Sequence, residues 1–328
     1  MTGADRDRSF DLLVAGELNP DVVVSGGDVE PAFGQVEKVV GDVQLTIGSS
    51  SAITASAAAR LGLRVAFVGI VGADALGRWM LAALDERGVD VSACRVDETT
   101  PTGASVILAR GGDRAILTAL GAIGALRPED LTDRMIGSAR HLHVGSLFLQ
   151  EELRRGLPER FRVARAAGVS TSFDPNWDPT GQWDGGIDSI LAETDVVLPN
   201  GAEARHLTGE ADDVSAARAL MARGGPDGPR IVAVKLGEAG GIVVGRDAGG
   251  GAVPVAAPEV EVVDTIGAGD AFDAGFLAAY LAGDSPVDAL KLAVACGSLS
   301  LRGVGGTAGQ PTRDEAAALA ALLAPGAE

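Results

Sequence analysis

The sequence predicts an α/β protein in which a doubly wound sheet carries helices on both faces and a second, small β-sheet projects from it. Most of the 328 residues alternate between short apolar runs and longer stretches with helical spacing. That alternation is typical of a parallel sheet covered by helices. Two segments, 17–47 and 99–118, interrupt it with strand-like patterns of alternating apolar and polar residues. Such patterns indicate strands with one solvated face, and we expect both segments to form one small sheet.

The main domain is predicted to begin with a buried strand, Phe10 to Gly16, and to continue with a helix from Ser50 that ends before Gly62. Further strands are predicted at 64–69, 141–145, 169–174, 195–198, 231–235, 241–244 and 259–263. Further helices are predicted at 76–87, 151–167, 202–208, 214–223, 270–282, 286–300 and 313–323. The predicted domains are a large one of 1–16, 48–98 and 119–328, and a lid of 17–47 and 99–118 with a hairpin turn at Gly111-Gly112-Asp113.

Composition excludes several classes of function. The formal net charge is −18 and no Lys/Arg stripe is present, which argues against a nucleic-acid partner. No run of about 18 charge-free apolar residues could span a bilayer, so we expect no membrane partner. Cys94 and Cys296 are too few for a disulfide scaffold or a zinc cluster. Because residues 1–11 are polar, with no apolar signal segment, a cytoplasmic location is expected.

A glycine-rich turn carries the strongest chemical signal, in the run Asp264-Thr-Ile-Gly-Ala-Gly-Asp270. Gly267 and Gly269 allow a sharp turn and present free N–H groups where a helix begins, an arrangement that binds anions. Asp270 could cap that helix, or it could be a general base that faces a bound phosphate. The sequence has neither a Gly-x-x-x-x-Gly-Lys-[Ser/Thr] loop nor the protein-kinase motifs, so those two nucleotide sites are excluded.

A second polar pair follows the predicted strand 195–198. Asn200 and Glu203 lie three residues apart, so on a helix their side chains point the same way. An amide and a carboxylate placed in this way could hold a hydrated Mg²⁺ ion against triphosphate oxygens. The alternative is local, because Asn at the N-cap and Glu at N3 also form a capping box.

Taken together, these segments resemble the ribokinase family, the PfkB-type carbohydrate kinases. The resemblance extends from about residue 10 to residue 315. Six segments follow the order of that family's landmarks: 16–21, 68–77, Thr102-Gly103, Asn200 to Glu203, 231–240 and 264–270. The resemblance implies a ribokinase-like fold with a β-sheet lid, which agrees with the two interruptions in the pattern.

The resemblance also implies roles for individual residues. Asp270 would deprotonate the acceptor hydroxyl, and the N–H groups of Gly267, Ala268 and Gly269 would stabilise the transferring phosphoryl group. Glu203 would hold Mg²⁺ through water, and Asp264 with Gly305 would form a K⁺ site. Contacts to ATP would come from Asn200, Lys235, Gly237, Gly240, Thr265 and Ser300.

On the acceptor side, the resemblance implies that Asn19 and Asp21 bind substrate hydroxyls, together with Gly48, Ser49 and Ser50. A carboxylate accepts from adjacent hydroxyls, and an amide both donates and accepts. The alternative is that the Asn-Pro-Asp run only forms a turn.

Two segments depart from the family pattern. The first family signature, usually Gly-Gly-x-x-x-Asn, has Ser49 for its second Gly and Ile53 for its Asn. Asp178 stands where relatives often have Arg, which argues against an acidic sugar as acceptor.

The predicted activity is transfer of the ATP γ-phosphoryl group to a hydroxymethyl group of a sugar or sugar-like molecule, with ATP, Mg²⁺ and K⁺ as the implied cofactors. A nucleoside kinase of the same family is the first alternative, and a non-catalytic ligand-binding relative is the second. A nicotinamide-dependent oxidoreductase is excluded because no Gly-x-Gly-x-x-Gly follows the first strand. Open edges of the small sheet predict a homodimer formed through the lid.

Overall fold

The computed structural model describes residues 8–110, 113–246 and 250–326. Its strands are β1 (Phe10–Ala15), β2 (Pro20–Gly27), β3 (Val40–Ile47), β4 (Val65–Val68), β5 (Ile70–Gly72), β6 (Val89–Asp90), β7 (Arg95–Asp97), β8 (Ala104–Arg110), β9 (Asp113–Ala119), β10 (Ala139–Val144), β11 (Ser170–Phe173), β12 (Val196–Val197), β13 (Ile231–Lys235), β14 (Gly241–Gly245) and β15 (Ala252–Val255). Its helices are α1 (Ser50–Arg60), α2 (Ala75–Asp85), α3 (Asp133–Gly137), α4 (Glu151–Ala166), α5 (Ile187–Leu191), α6 (Gly201–Thr208), α7 (Asp213–Arg223), α8 (Ala268–Ala282), α9 (Pro286–Ser300), α10 (Gly305–Ala308) and α11 (Arg313–Ala320).

A nine-stranded sheet forms the centre of the molecule, in the order β15-β14-β13-β12-β11-β10-β1-β4-β6. The strands from β13 to β6 pair in parallel, as the alternating pattern predicts. The prediction of a parallel sheet is wrong at one edge, where β13, β14 and β15 pair antiparallel. Only Leu236 to Gly240 connects β13 to β14. This connection is too short for the crossover that a parallel pair requires, so the chain folds back as a hairpin.

Helices cover both faces of this sheet, and the first strand shows how. Leu12 and Val14 of β1 belong to a buried cluster that also contains Phe276 of α8. Leu13 belongs to the cluster on the opposite face, together with Phe161 of α4. Because successive strand residues point to opposite faces, one apolar strand contributes to both cores. The predicted α/β architecture is confirmed.

The second sheet has four strands in the order β3-β2-β8-β9. It joins the two segments that interrupt the alternating pattern, so the prediction of one separate small sheet is confirmed. The β2–β3 and β8–β9 pairs are antiparallel, whereas β2 and β8, which come from distant segments, are parallel. Gly111 and Gly112 of the predicted hairpin turn lie outside the described residues.

Some elements differ from the predictions. Residues 259–263 are not a strand, and Val263 and Asp264 instead donate their backbone N–H groups to the carbonyl oxygen of Leu301. Apolar and acidic residues do alternate there, but the segment joins no sheet among the described residues, since the nine-stranded sheet ends at β15. Elements of only two to five residues were not predicted, because they are too short to show a periodic pattern: β5, β6, β7, α3, α5 and α10. Among the residues described, no helix combines the length and apolarity needed to cross a membrane.

Candidate active site

The glycine-rich turn forms the N-terminus of α8. Gly267 is the N-cap residue, with φ 77°. A β-carbon there would lie 2.6 Å from Gly306 Cα, so both the backbone angle and the close approach require glycine. The first N–H groups of a helix have no intrahelical partner. The turn therefore presents backbone donors and the positive end of a helix dipole at one point, which favours an anionic ligand.

Asp270 is in the first turn of α8 and is only 8% exposed. The pKa of this carboxyl is raised to about 8, chiefly by burial and also by the negative charges of Asp174 and Glu17, while Lys235 and the side chain of Ser50 oppose the shift. A carboxyl with such a pKa is a far stronger base than an exposed one. It can accept a proton from a hydroxyl group held next to the turn.

Lys235 lies at the end of β13, behind Asp270. Its Nζ donates to Asp174 Oδ2 at 2.8 Å and to Asp273 Oδ1 and Oδ2 at 3.1 and 3.0 Å. Burial lowers the pKa of Lys235, but the charges of Asp174, Asp273 and Glu203 outweigh it, so the pKa is raised and the ammonium stays charged. Lys235 was predicted to contact ATP; in the structure its three donors point to acidic side chains. Asp273 has no counterpart in the sequence-based prediction, although its position three residues after Asp270 places both on one helix face.

Asn200 and Glu203 form the capping box of α6. The Asn200 amide oxygen accepts from the backbone N–H of Glu203 at 2.9 Å, and the Glu203 carboxylate accepts from the Asn200 backbone N–H at 2.8 Å. Burial, aided by the charge of Asp174, raises the pKa of Glu203 to about 7. The capping box, which the sequence analysis gives as the alternative to a metal-binding role, is thus present. Within residues 8–110, 113–246 and 250–326, no group of three or more His, Cys, Asp or Glu could hold a metal ion.

The acceptor-side residues meet where β2 and α1 begin. Asn19 and Asp21 are buried, and Asn19 Nδ2 donates to Asp21 Oδ1 at 3.4 Å. Burial raises the pKa of Asp21 to about 6, with a smaller opposite effect from the side chain of Ser105. Gly48 packs directly on this carboxylate, since a β-carbon there would lie 2.2 Å from Asp21 Oδ1. These residues come from two segments of the chain and lie together in the structure.

The serines of this segment have different partners. Ser49 has φ 66°, a backbone conformation that explains the glycine of the family pattern. Its hydroxyl caps α1 by accepting from the Ala52 N–H at 3.1 Å and donates to the Glu17 carbonyl at 2.7 Å. Ser50 instead interacts with the carboxyl of Asp270. Ile53 is 3% exposed, and its Cδ1 lies 2.4 Å from the position of a β-carbon on Gly306.

Glu17 is a site residue that sequence reasoning missed. Its carboxylate is 3% exposed and accepts from the hydroxyl groups of Ser51 and Ser146, both at 2.6 Å. Ser146 in turn accepts from Asn176 Nδ2 at 2.8 Å. This network joins the loops that follow β1, β10 and β11. One signal was available, because a glutamate directly after a buried strand is unusual unless it is hydrogen-bonded.

Asp178 has a structural role. Its carboxylate accepts from the backbone N–H groups of Thr180 and Trp183 at 2.8 and 2.7 Å, and it is 3% exposed. It therefore stabilises its own loop, and we find no site for an acceptor carboxylate at this position.

The remaining predicted residues surround the turn. Asp264 accepts from the backbone N–H groups of Ile266 at 3.0 Å and Gly305 at 2.8 Å, so the two residues predicted for K⁺ are in contact. Thr265 Oγ1 accepts from Arg114 Nη1 of β9 at 3.3 Å, which links the small sheet to the turn. Ser300, at the end of α9, donates to the Gly297 carbonyl at 2.8 Å.

Gly237 and Gly240 form the turn between β13 and β14, with φ 58° and 92°. A β-carbon on Gly240 would lie 2.1 Å from the carbonyl oxygen of Val255, so this tight turn requires glycine.

Comparison with known proteins identifies the family. The profile described as pfkB family carbohydrate kinase matches residues 11–313. An ATP-dependent ribose-1-phosphate kinase from Halopiger xanaduensis is 35% identical over 82% of this chain and 84% of its own length. A fructokinase from Klebsiella pneumoniae is 33% identical, with 78% and 86% of the two chains covered. The structure of Arabidopsis thaliana ribokinase complexed with ribose and ATP aligns with a TM-score of 0.78 at 26% identity, over 95% of this chain and 98% of that one. With the ribokinase-like fold and the glycine-rich turn in place, the chain belongs to the pfkB family of carbohydrate kinases.

Proposed function

We propose that this carbohydrate kinase transfers the γ-phosphoryl group of ATP to a hydroxymethyl group of a neutral sugar, with Asp270 as general base. One observation carries the proposal: a buried carboxyl whose pKa is raised to about 8 stands in the first turn of α8, directly after the glycine-rich turn. The anion-binding turn and the base thus lie within one helical turn of each other.

The proposed reaction uses these two features in one step. Asp270 accepts the proton of the acceptor hydroxyl while the hydroxyl oxygen forms a bond to the γ-phosphorus. The bond from that phosphorus to the bridging oxygen of ADP breaks at the same time. The N–H groups of Gly267, Ala268 and Gly269 stabilise the charge on the transferring group, because they are fixed before the reaction begins.

ATP is proposed to bind between this turn and the end of β13. The contacting residues would be Asn200, Gly237, Gly240, Thr265 and Ser300. Mg²⁺ would neutralise the phosphate oxygens, and the carboxylate of Glu203 fits a water-mediated contact with it. Asp264 supplies a carboxylate beside Gly305, and oxygen donors of this kind fit K⁺. Turnover in Na⁺ or choline that equals turnover in K⁺ would refute the K⁺ site.

The acceptor class follows from the charges around Asp270. Glu17, Asp21 and Asp270 are all buried acids near the start of α1 and α8, and Asp178 is occupied within its own loop. Acidic side chains accept hydrogen bonds from sugar hydroxyls and repel a second phosphate or a carboxylate. We therefore expect neutral sugars to be better acceptors than sugar phosphates. A nucleoside acceptor is the second candidate, and the screen below includes adenosine to test it.

A screen of ATP consumption tests the proposal. The acceptors are ribose, fructose, ribose 1-phosphate, 2-keto-3-deoxygluconate and adenosine. Asp270→Asn should lower kcat by about two orders of magnitude or more and leave ATP affinity nearly unchanged, since a base is lost and no ATP contact is. Asp284→Asn, an exposed change beyond the end of α8, is the matched control and should behave as wild type. Near-normal turnover of Asp270→Asn would remove this residue from its role.

The small sheet is proposed to be a lid, formed by 17–47 and 99–118, that closes over the acceptor. The Arg114–Thr265 contact supports this assignment because it joins the sheet to the glycine-rich turn.

We further propose that a second copy of the chain covers the outer face of the lid. Val43 and Leu117 are 57% and 61% exposed on its two outermost strands, β3 and β9, and the strand register places both on one face of the sheet. Light scattering should give the mass of a dimer, and Leu117→Glu should reduce it to that of a monomer; a monomeric wild type would refute the dimer.

A further inference from the structure

The buried ion cluster of Lys235, Asp174 and Asp273 has no role in the reaction as proposed so far. Lys235 comes from the end of β13, Asp174 follows β11, and Asp273 belongs to α8. Their side chains are 11%, 8% and 0% exposed, and Nζ lies within 3.1 Å of an oxygen of each carboxylate. Three elements of the active site therefore meet at one ammonium group. Such a cluster is costly to bury and contributes little net stability compared with apolar packing.

The position of the cluster suggests what it does. A β-carbon on Gly269 would lie 3.6 Å from Lys235 Cδ and 3.8 Å from its Nζ, so the lysine lies directly against the glycine-rich turn. Asp273 is three residues after Asp270 and lies on the same face of α8. The ion pairs thus connect the first turn of α8, which carries the N–H groups and the base, to the ends of β11 and β13.

The ammonium also controls the charge near the base. Several titratable groups act on Asp270 or on the cluster: Glu17, Asp174, Glu203, Asp273, His143 and Lys235. Lys235 is the positive member of this set, and its charge favours the ionised form of Asp270. Without it, two buried carboxyl groups would face the base with no counterion.

We propose that Lys235 is a positioning residue for phosphoryl transfer: by bridging Asp174 and Asp273 it fixes the first turn of α8 and offsets the negative charge behind Asp270. This inference rests on the proposed kinase reaction and replaces the ATP contact expected for Lys235. Its three ammonium donors are already used by carboxylate oxygens, and a nucleotide phosphate would have to displace one of them.

The test compares Lys235→Met with wild type at saturating acceptor, using protein whose folded fraction is checked by circular dichroism. We expect kcat to fall at least about tenfold, whereas KM for ATP changes less than about threefold. The acidic limb of the pH–kcat profile should move to higher pH because the ammonium no longer favours ionised Asp270. Lys291→Met is the matched control, since Lys291 pairs with the exposed Asp288 on α9, and it should match wild type in every respect.

A second variant guards against a simple loss of folding. Asp273→Asn placed in the Lys235→Met background removes one stranded carboxylate, so the double variant should have a higher Tm than Lys235→Met alone. The acidic limb of the pH–kcat profile of the double variant should also move back toward that of wild type.

A rise of about tenfold or more in KM for ATP in Lys235→Met, with an unmoved acidic limb, would overturn the inference and make Lys235 a nucleotide ligand. An unmoved limb with normal KM would reduce the cluster to a purely structural role, which also overturns it. Loss of the kinase proposal itself would appear separately, as absence of ATP consumption by wild type with every acceptor.

Discussion

Gly48 packs against Asp21 so closely that a β-carbon at position 48 would lie 2.2 Å from Asp21 Oδ1 and 2.8 Å from the Asn19 carbonyl oxygen. Real β-carbons do not approach atoms this closely, so Gly48→Ala must displace the Asp21 carboxylate. Because Asp21 is proposed to bind acceptor hydroxyls and not ATP, KM for the acceptor should rise about tenfold or more while KM for ATP changes less than about twofold.

Steady-state kinetics with each substrate varied in turn measures both constants. Gly137→Ala is the control, because a β-carbon added there has no atom of the described residues within 4 Å apart from its chain neighbours and its own helix backbone, and it should leave both constants unchanged. An unaltered KM for the acceptor in Gly48→Ala would show that Asp21 does not bind it.

The raised pKa of Asp270 predicts how activity and stability depend on pH. Because the base must be ionised, kcat/KM should rise with pH and level off above an apparent pKa of about 8. Stability should change in the opposite direction. The folded protein holds the Asp270 proton more tightly than the unfolded chain, so this group stabilises the fold fully below about pH 4 and loses that contribution as pH rises through about 8.

Asp270→Asn removes this dependence, and above pH 8 the variant should be more stable than wild type. Each unit of the pKa shift corresponds to about 1.4 kcal/mol, so the gain should be measurable by urea denaturation at pH 8.5. If the difference in unfolding free energy between Asp270→Asn and wild type were the same at pH 5 and pH 8.5, the result would contradict a raised pKa of Asp270.

The sequence predicted those parts of the fold that repeat a local pattern. The strand β4 is a continuous apolar run, and β1 and β13 are apolar except for one charged residue each. The long helices have apolar spacing closed by a glycine or a polar cap. The antiparallel edge was missed because pattern shows that a strand exists and not which way it runs. Connection length would have revealed it, since Leu236 to Gly240 allows only a hairpin.

The site divides in the same manner. Asp270, Gly267 and Gly48 were recognised as candidate site residues because each belongs to a short local run with a characteristic pattern. Asp273 and Glu17 were not, because their contacts join residues far apart in sequence: Lys235 Nζ reaches Asp273 across 38 positions, and Ser146 reaches Glu17 across 129. A single sequence does not show which distant polar residues meet in the core.

Ile53 fills space next to the anion-binding turn. It is 3% exposed, and its Cδ1 occupies the region where a side chain on Gly306 would lie. Ile53→Asn, which restores the residue type of the family pattern, should reduce stability by about 2–4 kcal/mol because it loses apolar packing and buries an amide. KM for a sugar acceptor should not fall, since this side chain packs toward Gly306.

Ile53→Val, which keeps the site apolar, should cost only about 0.5–1.5 kcal/mol. The free energies of unfolding come from urea titrations, and the acceptor constants from the same ATP-consumption assay. A marked decrease in KM for the acceptor in Ile53→Asn would mean that position 53 faces the acceptor after all.

Glu17 should affect both stability and the base. Glu17→Ala leaves the Ser51 N–H and the hydroxyl groups of Ser51 and Ser146 without their buried acceptor, and it opens a cavity between three loops. The expected loss of unfolding free energy is about 2–4 kcal/mol. Ser146→Ala, which removes one donor to Glu17 and the acceptor of Asn176 Nδ2, should cost about 1–2 kcal/mol.

The same change removes a negative charge that raises the pKa of Asp270. The acidic limb of the pH–kcat profile of Glu17→Ala should therefore move to lower pH, opposite in sign to the shift expected for Lys235→Met. Opposite shifts would mean that Asp270 responds to the charges on its two sides, whereas limbs that move together would point to a shared loss of packing. Shifts in the same direction for both variants would thus contradict the electrostatic account of this base.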